Sequence, residues 1–345
     1  MTTKTKSKKE AREAAVIDVK PRVGFLGVGW IGRHRMEAII NSGLIEPVCI
    51  ADPINETALK ARELAPDSEI CTSIEGLLEH DLDGIVIATP SALHAEQAIM
   101  ALEKGISVFC QKPLGRTALE TKQVINAAKQ ADKLLAVDLS YRFTEGMQDI
   151  KSMIRAGEIG KIFAANLQFH NSYGPDKQWF YDPLLSGGGC VIDLGIHLID
   201  LALWTLHYPK VKNISGRLYS EGQRIRGREE KVEDYASVIM ELEDDMLIDL
   251  SCSWRLSLGK EALIEASFYG LQGGLSLKNI NRSFFDFKTE RYKHTHTQKL
   301  NEPPNDWNIK AAVNWAESIS KGGTYDSEIE TLIPVAETID KIYEL

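Results

Sequence analysis

Asp193, His197 and Asp200 fall at positions i, i+4 and i+7 of an otherwise apolar stretch that runs from Cys190 to Trp204. At about 3.6 residues per turn, this spacing puts three polar groups on one stripe of an apolar helix. Burying a carboxylate or an imidazole is costly unless the group is paired or used, so the stripe should line a site. Gly187-Gly188-Gly189 lies directly in front and would let a ligand or another backbone come close. A further candidate is Lys112, in Gln111-Lys112-Pro113, at the end of the apolar run Ser107–Cys110.

The elements that must position these groups begin with Arg22–Leu26, a short β-type run that enters Gly27-Val28-Gly29-Trp30-Ile31-Gly32 and then a helical stretch, Arg33–Ile40. A second strand, Glu46–Ala51, ends in Asp52, twenty residues after Gly32. Strand, glycine loop, helix and a later acid form the dinucleotide-binding pattern. Gly27 allows the tight turn, Gly29 lets backbone approach a pyrophosphate and Gly32 packs helix on strand. Asp52 would accept hydrogen bonds from the adenosine ribose. The loop, Trp30 and Ile31 included, is therefore assigned to the cofactor. A carboxylate there repels a ribose 2′-phosphate and argues for NAD, while Arg33 and Arg35 keep NADP open.

Helices and strands continue to alternate through Leu134–Val137, which predicts a doubly wound parallel sheet over 21–140, a Rossmann domain that binds ligands beyond the carboxyl ends of its strands. Two such ends carry polar residues, Thr89-Pro90 with His94 and Gln111-Lys112-Pro113, so these join the cofactor set. Pro113 is a candidate cis proline. Residues 141–345 read as an α+β domain with a large, mostly antiparallel sheet. Its strands include Lys161–Phe169, Asn213–Tyr219, Tyr235–Leu242, Leu247–Trp254, Leu263–Tyr269 and Leu275–Leu277. In Ile248–Trp254 one face is apolar and the other polar, and the polar face is either solvated or meets a second subunit; broad sheets of this kind often do the latter, so a homo-oligomer is expected. Ser327-Glu328-Ile329-Glu330 reads as a capping box opening a last helix, kinked at Pro334.

Composition narrows the partners. Forty basic against 49 acidic residues give a formal charge of -9, which disfavours nucleic acid and anionic membranes. Residues 1–20 read as a disordered tail without a signal-like apolar run, and no stretch approaches the roughly 20 apolar residues of a span. Five scattered cysteines suit a reducing compartment, so a cytoplasmic protein is expected. His294-Thr295-His296 lacks further ligands nearby, and no metal site is expected.

Taken together, these motifs resemble the Gfo/Idh/MocA family, the glucose-fructose oxidoreductase and inositol dehydrogenase group. The resemblance rests on the glycine loop, Asp52, Thr89-Pro90 with His94, Lys112-Pro113, the three glycines, Asp193, Gly195, His197 and Asp200. The family pattern Glu-Lys-Pro here reads Gln111-Lys112-Pro113, which removes a charge. The resemblance implies an oxidoreductase moving a hydride between nicotinamide and a secondary alcohol of a sugar, sugar derivative or cyclitol. That chemistry needs a base for the hydroxyl proton. His197 is the choice, with an unperturbed pKa near the working pH; Lys112 would stabilise the alkoxide, and is the alternative acceptor. Asp193 would contact substrate or orient the imidazole. Asp200 reads as a supporting hydrogen-bond partner.

For the substrate, Tyr173, Trp179 and Tyr181 offer flat faces for stacking, and Arg142 and His170 polar contacts. A pyranose-type sugar, a glycoside, a nucleotide sugar or a cyclitol is expected. Two other readings stay open. One is a redox-neutral enzyme that retains its NAD for epimerisation or glycoside cleavage through transient oxidation. The other is a non-catalytic cofactor-binding regulator, which would not need Lys112, Asp193 and His197 together.

Overall fold

The computed structural model describes residues 20–304 and 307–345. The tail expected over 1–20 lies, Lys20 apart, outside the described residues. Two sheets organise the rest. The first comprises β1 (Arg22–Leu26), β2 (Glu46–Ala51), β3 (Glu69–Cys71), β4 (Gly84–Ile87), β5 (Ser107–Cys110) and β6 (Leu135–Val137). All its pairings are parallel, in the order β3-β2-β1-β4-β5-β6. Helices cover both faces, so β4 and β5 are buried throughout and, Ser107 apart, apolar. The order reverses between β1 and β4, and a crevice opens there beyond the strand ends. Gly27, Asp52, Thr89 and Gln111 follow four of these strands and so share one edge.

The second sheet comprises β7 (Ile162–Asn171), β8 (Val211–Ser220), β9 (Gln223–Ile225), β10 (Tyr235–Leu242), β11 (Leu247–Ser253), β12 (Ala262–Gly270), β13 (Gly273–Asn279), β14 (Phe287–Lys293) and β15 (His296–Asn301). Their order is β15-β14-β13-β12-β7-β11-β10-β8-β9, antiparallel except for β7 with β11. Alternation is strict in β10 and β11: Val238, Met240, Ile248 and Leu250 are wholly buried, while Ile239 and Asp249 face outward.

Three sequence expectations change. Read from sequence, everything after 140 belongs with the second sheet. In the structure, the helix Lys310–Ser320 returns to the first domain, where Trp315 is 1% exposed and its ring lies 5.9 Å from that of Phe109. Burying such a ring contributes roughly 2–3 kcal/mol. The last helix starts later than its capping signal implied. Asp326 caps a single turn over Ser327–Thr331, and Pro334 sits in the first turn of Leu332–Tyr343, where its missing N–H removes no bond and causes no kink. Finally, Pro183–Thr205 is long and apolar enough to span a membrane, contrary to the sequence reading, but 78% of its apolar window is buried inside the protein.

Candidate active site

The stripe-bearing segment is not one regular helix. Val191–Gly195 forms a π-helical turn, and an α-helix, Ile196–Thr205, follows. A π turn is wider than an α turn, so Asp193 and His197 no longer share a straight stripe. Asp193 turns toward the first domain, where Lys112 Nζ donates to its Oδ1 at 2.7 Å and to its carbonyl oxygen at 2.8 Å. Trp254 Nε1 donates to the other carboxylate oxygen at 3.0 Å. No bond joins Asp193 to His197, so the carboxylate orients the lysine rather than the imidazole.

The His197 ring packs 4.9 Å from that of Tyr141. Its Nδ1 is buried without a hydrogen-bond partner, as is Oδ1 of Asn171. Burial first, then the charges of Lys112 and Arg35, hold its pKa well below the ordinary 6.5. A neutral imidazole therefore faces the cleft, and the sequence expectation of a pKa near the working pH is corrected. Tyr141 is pushed up by burial and by Asp193, so its hydroxyl stays protonated.

These groups lie in one cleft of about 1220 Å³, lined from the glycine loop through Lys112 to His197. Such a volume exceeds that of most single-ligand sites. Its other end fits a dinucleotide. The helix Trp30–Asn41 begins at Gly29 with no side-chain cap and no acidic residue in its first turn, leaving its N–H groups available to a pyrophosphate. A Cβ at Gly32 would come within 1.9 Å of Gly27 O, and Gly27 has φ +77°, whereas nothing crowds Gly29. Asp52 accepts the N–H groups of Val28 at 3.0 Å and Ile54 at 2.9 Å, which orients its carboxylate and leaves lone pairs for a ribose. Arg35 is locked onto Asp138, and Arg33 leans toward Glu63 at 3.9 Å, so neither is committed to a 2′-phosphate.

Trp30, Ile31, Thr89, Pro90, Gln111 and Trp179 also line the cleft. Gln111 donates to Asp138, which Arg35 also binds; a glutamate here would oppose carboxylate to carboxylate. His94 borders the cleft, but its Nδ1 and Nε2 each lie 2.7 Å from a carbonyl oxygen, of Pro113 and Thr89. The neutral ring donates its one N–H to one of these carbonyls while its other nitrogen faces the second, so neither nitrogen is turned to a cofactor. The Lys112-Pro113 bond is cis, as expected.

Four assignments of substrate contacts are corrected. Arg142 is buried in a bidentate pair with Asp200, at 2.8 Å through Nε, and also donates to Tyr208 Oη at 3.0 Å. His170 is held between Ser253 Oγ at 2.8 Å and Ser251 Oγ at 3.0 Å. Tyr181 donates to Pro175 O at 2.8 Å and lies under Arg255. Tyr173 is 56% exposed outside the cleft. Only Trp179, stacked on Phe180 at 3.8 Å, Asp193 and His197 remain. Sequence reasoning missed Trp254, Tyr141, Asn171 and Trp307. Trp254 directly follows an alternating strand, and that position was the one sequence signal for it.

A doubly wound domain with a free helix N-terminus, sharing its cleft with a sheet-based second domain, defines an NAD-binding two-domain architecture. Residues 21–139 match the model of the oxidoreductase family NAD-binding Rossmann fold, and 147–276 that of the GFO/IDH/MocA C-terminal domain. The chain belongs to the Gfo/Idh/MocA family. It is similar to D-glucoside 3-dehydrogenase of Escherichia coli (strain K12), 28% identical over 56% of this chain and 58% of that protein. It is also similar to scyllo-inositol 2-dehydrogenase (NAD(+)) of Bacillus subtilis (strain 168), 29% identical over 56% of each. The chain thus spans little more than half the length of these curated relatives. Levoglucosan dehydrogenase in complex with NADH shares the fold, with a TM-score of 0.81 at 20% identity over 94% of this chain and 96% of that one.

Proposed function

We propose that the protein is an NAD-dependent dehydrogenase acting on a secondary alcohol of a sugar, sugar derivative or cyclitol. The observation that carries this reading is the 2.7 Å ion pair between Lys112 and Asp193, made across the domain boundary beside a neutral His197. Bound NAD supplies the hydride acceptor. His197, which lines the cleft, takes the hydroxyl proton. Lys112, steered by Asp193, donates to the reacting oxygen and stabilises the alkoxide. Lys112 is the weaker choice of proton acceptor because it already donates twice to Asp193. Asp52, with Arg33 and Arg35 turned elsewhere, favours NAD over NADP.

The test is NADH formation by purified protein with NAD and a panel of sugars and cyclitols. Absorbance that accumulates with one of them supports a dehydrogenase. Product without net NADH, from protein that retains NAD on purification, replaces it with the redox-neutral reading. Cofactor binding without any product leaves a regulator. We further propose a cytoplasmic homo-oligomer. Five free thiols support a reducing compartment, and Ile239 and Tyr269, 40% and 38% exposed on the outer face of the second sheet, support subunit contact there.

A further inference from the structure

Phe285 is fixed by its backbone yet open to solvent. Its N–H donates to Ser283 Oγ at 3.0 Å and its carbonyl accepts from Trp307 Nε1 at 2.9 Å, while the residue is 48% exposed. Phe284, Phe285 and Trp307 all line the cleft, and a pocket wall of adjacent aromatic rings is suited to an apolar ligand group. A row of rings leads inward from it. Phe285 lies 6.4 Å from Trp307, Trp307 4.6 Å from Tyr141, and Tyr141 4.9 Å from His197, centroid to centroid. The 70% exposed indole of Trp30 lines the same cleft.

Charge narrows what this row receives. Among the described residues lining the cleft, Lys112 is held by Asp193 and Arg35 by Asp138, while Lys177 stands largely exposed beside its sequence neighbour Asp176. A substrate phosphate would need an uncommitted guanidinium or ammonium. Beside the catalytic groups, Lys112 and Arg35 are both committed to carboxylates.

We propose that the aromatic row is an aglycone subsite: the substrate is an uncharged glycoside whose sugar ring sits at Lys112, Asp193 and His197 and whose second, apolar ring lies against Phe285. This rests on the dehydrogenase reading above. The experiment pairs methyl and phenyl glycosides of glucose, galactose and mannose, in both anomers, with glucose phosphate and uridine diphosphate glucose alongside. NAD reduction is followed for the wild type and for Phe285→Ala. At least one phenyl glycoside is expected to show a KM about tenfold below that of its methyl partner, roughly the effect of one added aromatic contact. Phe285→Ala should bring that ratio close to one, and the charged sugars should not be turned over. Equal KM values across every pair that is oxidised, or a preference for a phosphorylated sugar, overturn the subsite and leave the dehydrogenase standing. A ratio unchanged in Phe285→Ala also overturns it. If no glycoside in this set reduces NAD, the subsite falls, and the dehydrogenase reading is decided separately by the sugar and cyclitol panel above. The wild-type comparison needs no variant to fold.

Discussion

Glu233 accepts the N–H of Val191 at 2.8 Å, and so closes the turn that delivers Asp193 to Lys112. Its two oxygens also accept the Gly189 N–H at 3.1 and 3.0 Å, and Tyr343 from the last helix donates to it at 2.9 Å. The carboxylate is fully buried, and burial pushes its pKa up against these donors, which pull it down. Gly189 has no substitute here, because a Cβ would lie 1.9 Å from the Glu233 carbonyl oxygen.

Glu233→Gln places an amide NH2 among N–H and O–H donors and leaves one of them unsatisfied. The expected cost is about 1–3 kcal/mol of stability. kcat should fall while NAD affinity holds, because the misplaced group is Asp193 and the glycine loop is untouched. Thermal unfolding, NAD titration and turnover measured together check this. Wild-type kcat in a folded Glu233→Gln protein would show that the π turn is set by other contacts.

Lys112→Ala and His197→Ala should each lower turnover by at least about a hundredfold, the usual worth of a general base or an alkoxide donor. NAD binding should persist in both, since the pyrophosphate and ribose contacts lie at Gly29 and Asp52. Kinetics with cofactor titration distinguish lost chemistry from lost binding. Near wild-type activity in both variants would sink the mechanism.

Asp52→Ser should weaken NAD by about tenfold, the value of a charge-assisted ribose contact, and improve the relative use of NADP. The comparison is kcat/KM for both cofactors in both proteins. Unchanged cofactor preference would remove Asp52 from the site.

What the sequence revealed depended on whether a residue's partner was local. The glycine loop, Asp52 and the strand-end residues were legible because strand, turn and helix lie within one short βαβ segment, and that context fixes where each side chain goes. The convergence of Lys112 with Asp193 and His197 was legible from their ends of different domains. The partners were not. Arg142 reads as an exposed polar contact until Asp200, distant in sequence, is seen to neutralise it, and His170 until Ser251 and Ser253 fill its ring nitrogens. The π turn was hidden because i, i+4, i+7 spacing is shared by any helix, and the carboxylate that closes it lies on a later segment.

Acid should destabilise the protein through its histidines. His94, His170 and His197 all have pKa values lowered from 6.5, chiefly by burial. The unfolded chain, with pKa values near about 6.5, then binds more protons than the folded one between the two sets of values. Their contribution is complete above that pH and is lost as pH falls toward the folded values. Tm should therefore drop as pH is lowered from about 7 to about 5. The acid limb of kcat/KM set by His197 should lie well below 6.5. A limb above 6.5 in the wild type would mean that another group is the base.

Arg142→Met separates structure from substrate contact. The Arg142 side chain is largely shielded from solvent and reaches Asp200 through two nitrogens and Tyr208 through one, all away from the cleft. Removing it strands a buried carboxylate on the helix that carries His197, and breaking one side of such a pair costs about 3–5 kcal/mol. Tm should fall sharply. Asp200→Asn in the same background should recover part of the loss, because the uncompensated charge is then gone. If Arg142 instead held substrate, as its sequence position suggested, KM would rise in the single variant and stay raised in the double. KM near the wild-type value in the folded double variant, with restored Tm, assigns Arg142 and Asp200 to the support of the catalytic helix.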